Sequence, residues 1–130
     1  MTRIYHILLY LWQLPQNLLG LLFLLRLGGP SRAACVTRRE DVRYFYYDAF
    51  PGGVTLGNYV FLSTVFRTST RDVNHEWGHV RDSRLLGPLY LPVIGIPSGL
   101  HALWWRRHQA RDYYAFWTER RADRRGGVAR

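Results

Sequence analysis

The chain has 130 residues, a length that fits one domain with one modest hydrophobic core. Hydrophobic residues make up 48% of the sequence and aromatic residues 15%, which excludes an intrinsically disordered protein. The formal net charge is +9, and all 18 basic residues are arginines. The single cysteine, Cys35, excludes a framework of intramolecular disulfides.

The arginine excess raises the question of a polyanionic partner, because a guanidinium group pairs bidentately with phosphate. The arginines are scattered along the chain, with one cluster near the C-terminus: Arg120, Arg121, Arg124, Arg125 and Arg130. No nucleic-acid-binding motif accompanies that cluster. We therefore do not expect nucleic acid to be the partner. A basic module that docks on anionic lipid or nucleic acid through this cluster stays open as an alternative.

Residues 4–25 form the first of two long apolar segments. As a helix, this segment would be about 33 Å long, just enough to cross the hydrocarbon core of a bilayer. Pro15 interrupts it, and a few polar or small residues fall near one helical face: His6, Gln13, Asn17 and Gly20. We predict a hydrophobic N-terminal helix within residues 1–30, either a membrane anchor or an amphipathic helix in the interface, with a buried core helix as the alternative. A single domain over residues 31–130 would follow.

Two stretches after this segment have the composition of β-strands. Residues 36–48 become rich in tyrosine, and residues 54–62 are mostly β-branched or aromatic. Pro51-Gly52-Gly53 between them is a turn sequence. These features predict an antiparallel pair of strands.

The next element is a helix that carries an HExxH motif. Ser69 and Asp72 form a capping box that starts the helix at about Thr70. His75 and His79 are four residues apart, so both imidazoles face the same side and can reach one metal ion. Glu76 is then placed to take a proton from metal-bound water, as a hydrolytic zinc site requires.

Residues 85–105 form the second apolar segment, with arginines on both sides. Six residues that break helices lie within it: Gly87, Pro88, Pro92, Gly95, Pro97 and Gly99. This density of breakers is incompatible with one straight helix. We predict either a bent, re-entrant segment that returns to its starting side or part of a hydrophobic core.

The pattern over residues 102–125 predicts a last helix, which ends at Gly126-Gly127. Glu119 and Asp123 lie four residues apart on this helix and share a face with small side chains. A metal-bound imidazole needs an acceptor for its second nitrogen, and Asp123 is a candidate. The alternative for Glu119 is an exposed side chain paired with Arg120 or Arg121.

Taken together, His75-Glu76-Trp77-Gly78-His79 and Glu119-Arg120-Arg121-Ala122-Asp123 resemble the HExxH and ExxAD motifs of gluzincin metallopeptidases. The resemblance is to the CAAX-prenyl-protease and heat-shock membrane-protease branch and covers about residues 54–127. It implies a zincin-like α+β fold, Zn²⁺ bound by His75, His79 and Glu119, and Asp123 bonded to a ligand histidine. It also implies that the strand over residues 54–62 aligns substrate.

The function that we predict is a membrane-associated zinc metallopeptidase with Glu76 as general base and a peptide or protein as substrate. With the apolar segment over residues 4–25, we expect it to be associated with a membrane, the bacterial cytoplasmic membrane. Those relatives are larger, so a partner protein or a homo-oligomer would supply missing elements. Four residues are candidates for stabilising the oxyanion: His101, His108, Tyr113 and Tyr114. The alternative is a non-enzymatic membrane protein whose structural zinc site is closed by His101 or His108.

Overall fold

Residues 3–48, 50–108 and 113–129 are described by the structure, a computed structural model. These residues have an α+β fold, which confirms the predicted fold class at that level. The helices are α1 (Arg3–Trp12), α2 (Leu14–Arg26), α3 (Thr70–Leu86), α4 (Ile96–His108) and α5 (Trp117–Gly126). The strands are β1 (Cys35–Arg39), β2 (Val42–Tyr47), β3 (Gly53–Leu56) and β4 (Tyr59–Ser63).

The N-terminal apolar segment is helical, but it forms two helices instead of the single one predicted. The axes of α1 and α2 are bent by 87° at Gln13. Pro15 lies in the first turn of α2, where its missing N–H needs no partner, so the chain starts a new helix there. Among the described residues, no single helix has both the length and the apolar composition to cross a membrane; α1 and α2 meet both criteria only as a pair.

The polar residues of this segment attach it to the rest of the chain. The Gln13 side-chain oxygen accepts a hydrogen bond from Ser83 Oγ at 2.6 Å, and Gln16 Nε2 donates to the same hydroxyl at 2.9 Å. Asn17 Oδ1 accepts from the backbone N–H of Asn58 at 2.7 Å. One face of the segment is therefore packed against protein, while the opposite face exposes large apolar side chains.

The sheet has the strand order β1-β2-β4-β3 and is mixed. Each stretch that was predicted to be one strand forms an antiparallel hairpin of two strands. The turns of these hairpins contain Glu40 (φ 56°) and Gly57 (φ 65°). The predicted antiparallel pairing between them is wrong, since β2 and β4 run parallel. Composition identified the strand-forming residues but could not show where left-handed turn residues reverse the chain.

The two central strands are covered on both faces. On one face, Phe45 and Phe61 pack with Leu24 of α2. On the other, Val60 packs with Val80 of α3. Complete burial of side chains of this size stabilises the fold by about 1.5–3 kcal/mol each. The sheet therefore holds α3 in place, with β3 as the edge strand beside it.

Helix α3 begins as predicted, because Ser69 Oγ accepts a hydrogen bond from the Asp72 backbone N–H at 3.3 Å. The helix ends at Gly87, where the backbone has a φ of 56° and the chain reverses. Beyond it, a 3₁₀ turn (Gly87–Leu89) and a π-helical turn (Leu91–Gly95) lead into α4. Residues 85–105 are therefore not one regular helix, but no hairpin forms inside them. The helical run that follows Gly87 places Tyr90 against Thr55 of β3 and Ser98 against Glu119 of α5.

The predicted helix over residues 102–125 is also interrupted. A 3₁₀ turn (Tyr113–Ala115) and an extended Phe116 with ψ 146° separate α4 from α5. The ring of Phe116 stacks on His101 of α4 with centroids 4.2 Å apart. The predicted end is confirmed, since Gly127 has the left-handed conformation that follows a helix.

Candidate metal centre

Two glycines allow α3 and α5 to approach unusually closely. A Cβ on Gly78 would overlap the backbone carbonyl of Ala122, and one on Gly126 would overlap that of Asn74. Nothing larger than hydrogen fits between the two backbones at these points. The approach brings the HExxH residues of α3 within reach of the carboxylates of α5.

Ion pairs between two arginines of α5 and an aspartate of α3 hold the two helices together at a second place. Asp82 is completely buried and accepts hydrogen bonds from Arg121 Nε at 2.9 Å and Arg125 Nε at 3.1 Å. Arg121 is thus paired with Asp82 and not with Glu119. Glu119 itself is only 1% exposed, which contradicts the alternative of a solvent-exposed surface pair.

The structure brings the three predicted ligands together. Glu119 Oε2 lies 2.7 Å from His75 Nε2 and 3.3 Å from His79 Nε2. The three ligand atoms lie within 4.8 Å of one another, and all three residues are buried. Of the two histidines that were candidates for closing a structural zinc site, the structure describes the side chain of His101. His101 does not belong to this cluster.

The distances in this cluster are compatible with a bound zinc ion. Zinc bonds of about 2.0–2.1 Å place tetrahedral ligand atoms about 3.3 Å apart. The distance from His79 Nε2 to Glu119 Oε2 has that value, and the shorter one from His75 needs to open by only about 0.6 Å. Two imidazoles and one carboxylate also form a donor set that suits Zn²⁺ and leaves a fourth position free.

The second ring nitrogens of the two histidines have different surroundings. His75 Nδ1 lies 2.7 Å from Asp123 Oδ1, the contact predicted for that carboxylate. It fixes the ring so that Nε2 faces Glu119. His79 Nδ1 is buried and has no hydrogen-bond partner among the described residues. Asp123 therefore orients only one of the two histidines.

Without a metal ion, the electrostatic attraction between His75, His79 and Glu119 favours the charged form of each side chain. Burial lowers the pKa of His75, but the hydrogen bond to Glu119 and the nearby carboxylates outweigh it and raise that pKa to about 9. His79 has its pKa raised in the same way. Burial raises the pKa of Glu119, but the two histidines hold it well below its ordinary value. A metal ion would replace the protons that these groups share.

Glu76 lies at the edge strand, next to the histidines. Its Oε2 accepts a hydrogen bond from Thr55 Oγ1 of β3 at 2.6 Å. Gly53 of β3 touches the other carboxylate oxygen so closely that a Cβ there would overlap it. Tyr90 donates to the Thr55 carbonyl at 3.5 Å. Strand β3 thus fixes the predicted general base.

Ser98, which the sequence did not single out, also contacts the site and links it to Tyr113, one of the oxyanion candidates. Ser98 Oγ donates to Glu119 Oε1 at 2.6 Å, which leaves Oε2 for the histidines. Tyr113 is hydrogen-bonded to Ser98, so its hydroxyl belongs to the same network. Ser98 follows Pro97 in an apolar segment, and no motif marks it.

The candidates for stabilising an oxyanion lie at different distances from the cluster. The Tyr114 ring contacts the His75 ring edge-on, with centroids 5.1 Å apart. His101 stacks on Phe116, and its Nε2 lies 3.0 Å from the Tyr113 carbonyl oxygen. The side chain of His108 lies outside the described part of the chain. The geometry therefore favours Tyr114 and Tyr113 over His101.

Comparisons with protein-family models, with curated proteins and with solved structures give no match for this chain.

Proposed function

We propose that this protein is a minimal, membrane-associated zinc metallopeptidase. The observation that carries the proposal is the convergence of His75, His79 and Glu119 in a buried cluster with the spacing of zinc ligands. When bound, zinc would lower the pKa of a water molecule to about 7 and polarise the scissile carbonyl. The resemblance to gluzincins, which rests on the same residues, supports this chemistry.

The protein groups around the cluster have roles that follow from their contacts. Glu76 accepts the proton of the attacking water and passes it to the leaving amine. The hydrogen bond from Thr55 holds one Glu76 oxygen, so that the carboxylate keeps a fixed orientation. Asp123 orients His75, and Ser98 orients Glu119. Glu76, His75 and Glu119 are thus each held by a neighbour, as preorganisation requires.

A peptide substrate is supported by the position of β3. This strand is at the edge of the sheet, so one side of its backbone has no strand partner among the described residues. An extended peptide would pair with that edge by β-augmentation. Because Thr55 on β3 contacts Glu76, a peptide aligned there would lie next to the general base.

Association with a membrane is supported by the apolar surface. Large apolar side chains are exposed along α1 and α2, and again at regular helical spacing beyond α3: Leu89, Val93, Ile96, Leu100 and Leu103. Monomeric soluble proteins rarely expose contiguous apolar surfaces of this kind. A lipid bilayer would cover them without requiring a single straight span.

The proposal is tested by measuring hydrolysis of a library of quenched fluorescent peptides in detergent micelles. We expect zinc-dependent cleavage by the wild type, and in Glu76→Gln at least a 100-fold loss with zinc content retained. His75→Ala should lose both zinc and activity. Glu40→Gln, in an exposed turn of the sheet, is the matched control and should behave as wild type. Equal cleavage by the wild type and Glu76→Gln would refute the role of Glu76.

A further inference from the structure

A polar hollow lies away from the metal centre, between α1 and the sheet. Its volume is about 300 Å³. Its lining includes three arginines and three aromatic or imidazole side chains: Arg3, Arg38, Arg43, His6, Tyr10 and Tyr59. None of these residues takes part in the proposed peptidase chemistry.

The hollow carries an excess of positive charge. Its one carboxylate, Asp41, accepts hydrogen bonds from Arg84 at 2.7 Å and from Asn58 Nδ2 at 3.2 Å. In the described part of the chain, the three arginines of the hollow form no ion pair; Arg38 Nε donates only to the neutral carbonyl of Glu40. The lining therefore offers three guanidinium groups that an acid of the protein does not neutralise.

Three further lining residues carry groups that can donate hydrogen bonds. The hydroxyls of Tyr10 and Tyr59 lie 3.1 Å apart at the hollow. The buried Nε2 of His6 has no hydrogen-bond partner among the residues that the structure describes. His6 could also approach a cation together with Glu40 and Asp41. Arg84 occupies both of those carboxylates, so the charge balance favours an anion.

The hollow borders an exposed apolar face. Ile4, Ile7, Leu8 and Leu11 are each more than half exposed and have the spacing of one face of α1. Ile7 also lines the hollow, so the apolar face and the arginines meet at that residue. An amphipathic helix with arginines at its border is the arrangement that inserts into the interface of an anionic membrane.

We propose that this hollow, the α1 arginine pocket, binds the phosphate of an anionic phospholipid headgroup while the apolar face of α1 contacts the acyl chains. The arginines supply bidentate donors to the phosphate oxygens. The pocket orients the protein on the bilayer. This inference rests on the membrane association in the proposed function and is independent of the metal centre.

The test is flotation of the full chain with vesicles of phosphatidylcholine, with and without one third phosphatidylglycerol. We expect stronger binding to the anionic vesicles, and about 25-fold weaker binding to them for the double variant Arg38→Gln/Arg43→Gln. That figure follows from about fivefold for each arginine near an anionic surface. Both side chains are exposed, so the variant should keep the wild-type circular dichroism spectrum.

The matched control is Arg120→Gln/Arg124→Gln, which removes the same charge from exposed positions of α5. We expect the binding of this control to the anionic vesicles to differ from that of the wild type by less than about twofold. If the control loses binding and the pocket variant does not, the C-terminal cluster is the lipid site and the pocket proposal is wrong. Equal binding of the wild type to both kinds of vesicle would also overturn it. No binding to either kind would contradict membrane association itself, while the peptidase assay would be unaffected.

Discussion

The close contact between α3 and α5 predicts that Gly78→Ala damages the metal centre without altering any ligand. The new Cβ would lie 2.6 Å from the carbonyl carbon of Ala122 and 2.9 Å from its Cα. Packed carbon atoms lie about 3.5–4.0 Å apart, and the carbonyl oxygen of Ala122 would lie closer still to the new Cβ, so the helices must separate by at least about 1 Å. All three neighbours are backbone atoms and cannot rotate away. Glu119 on α5 would move away from His75 and His79 on α3.

We expect Gly78→Ala to lower the free energy of unfolding by about 1–3 kcal/mol, as overpacking of a core does. This loss includes the helix propensity of alanine, which would by itself stabilise α3 by up to about 1 kcal/mol. The affinity for zinc should fall by about 10–100-fold, the range found when the support of a metal ligand is lost. Urea denaturation and competition with a chromophoric zinc chelator measure the two effects.

The matched control is Gly99→Ala in α4, where a Cβ would have no heavy atom within 4 Å. It makes the same chemical change in a helix and should keep or slightly raise stability, with unchanged zinc affinity. Wild-type zinc affinity and stability in Gly78→Ala would refute the account of the helix contact.

Two further predictions concern Asp123 and pH. Asp123→Ala removes the acceptor of His75 Nδ1 and should weaken zinc binding by about 10–100-fold in the chelator assay, whereas Asp123→Asn should recover part of the affinity. Without metal, the raised pKa of His75 stabilises the fold fully below pH 6.5, and that contribution is lost as the pH rises toward about 9. The lowered pKa of Glu119 stabilises the fold above pH 4.5, and that contribution is lost as the pH falls. Thermal unfolding with excess chelator should therefore give the highest midpoint between pH 4.5 and 6.5.

Zinc should oppose the fall in the unfolding midpoint that the metal-free protein shows above pH 6.5. Because zinc competes with protons for the same ligands, the rise in unfolding temperature that it causes should grow from pH 6 to pH 8. A stabilisation by zinc that does not depend on pH would contradict binding at these histidines.

For the Asp123 prediction, equal zinc affinity in Asp123→Ala and the wild type would show that His75 needs no acceptor.

Local sequence signals were sufficient for the parts of the site that lie on one helix. The side chain of Ser69 caps α3 where the sequence places the cap, and the i, i+4 spacing of His75 and His79 puts both on one face. Glu119 and Asp123 required a second motif, since their proximity to α3 depends on packing between helices. The small side chains beside Glu119 and Asp123, Gly126 among them, predict this close approach, whereas the role of Gly78 follows only from the opposing backbone of Ala122.

Long-range features could not be read from the same patterns. Parallel pairing of β2 with β4 depends on hydrogen bonds between strands that are distant in sequence, and composition is the same for either direction. Thr55 and Ser98 contact the site through side chains from other elements, so no spacing relative to the HExxH motif reveals them. The break at Phe116, whose ring stacks on His101 of α4, is likewise not marked by any proline or glycine in the sequence.

The central claim is that His75, His79 and Glu119 bind one zinc ion, and zinc content measures this most directly. The measurement compares purified wild type, Glu119→Ala and the exposed control Glu40→Ala by elemental analysis, with circular dichroism to confirm folding. We predict one zinc per chain in the wild type and the control, and its loss in Glu119→Ala. Full zinc occupancy in folded Glu119→Ala, or none in the wild type, would contradict the proposed site.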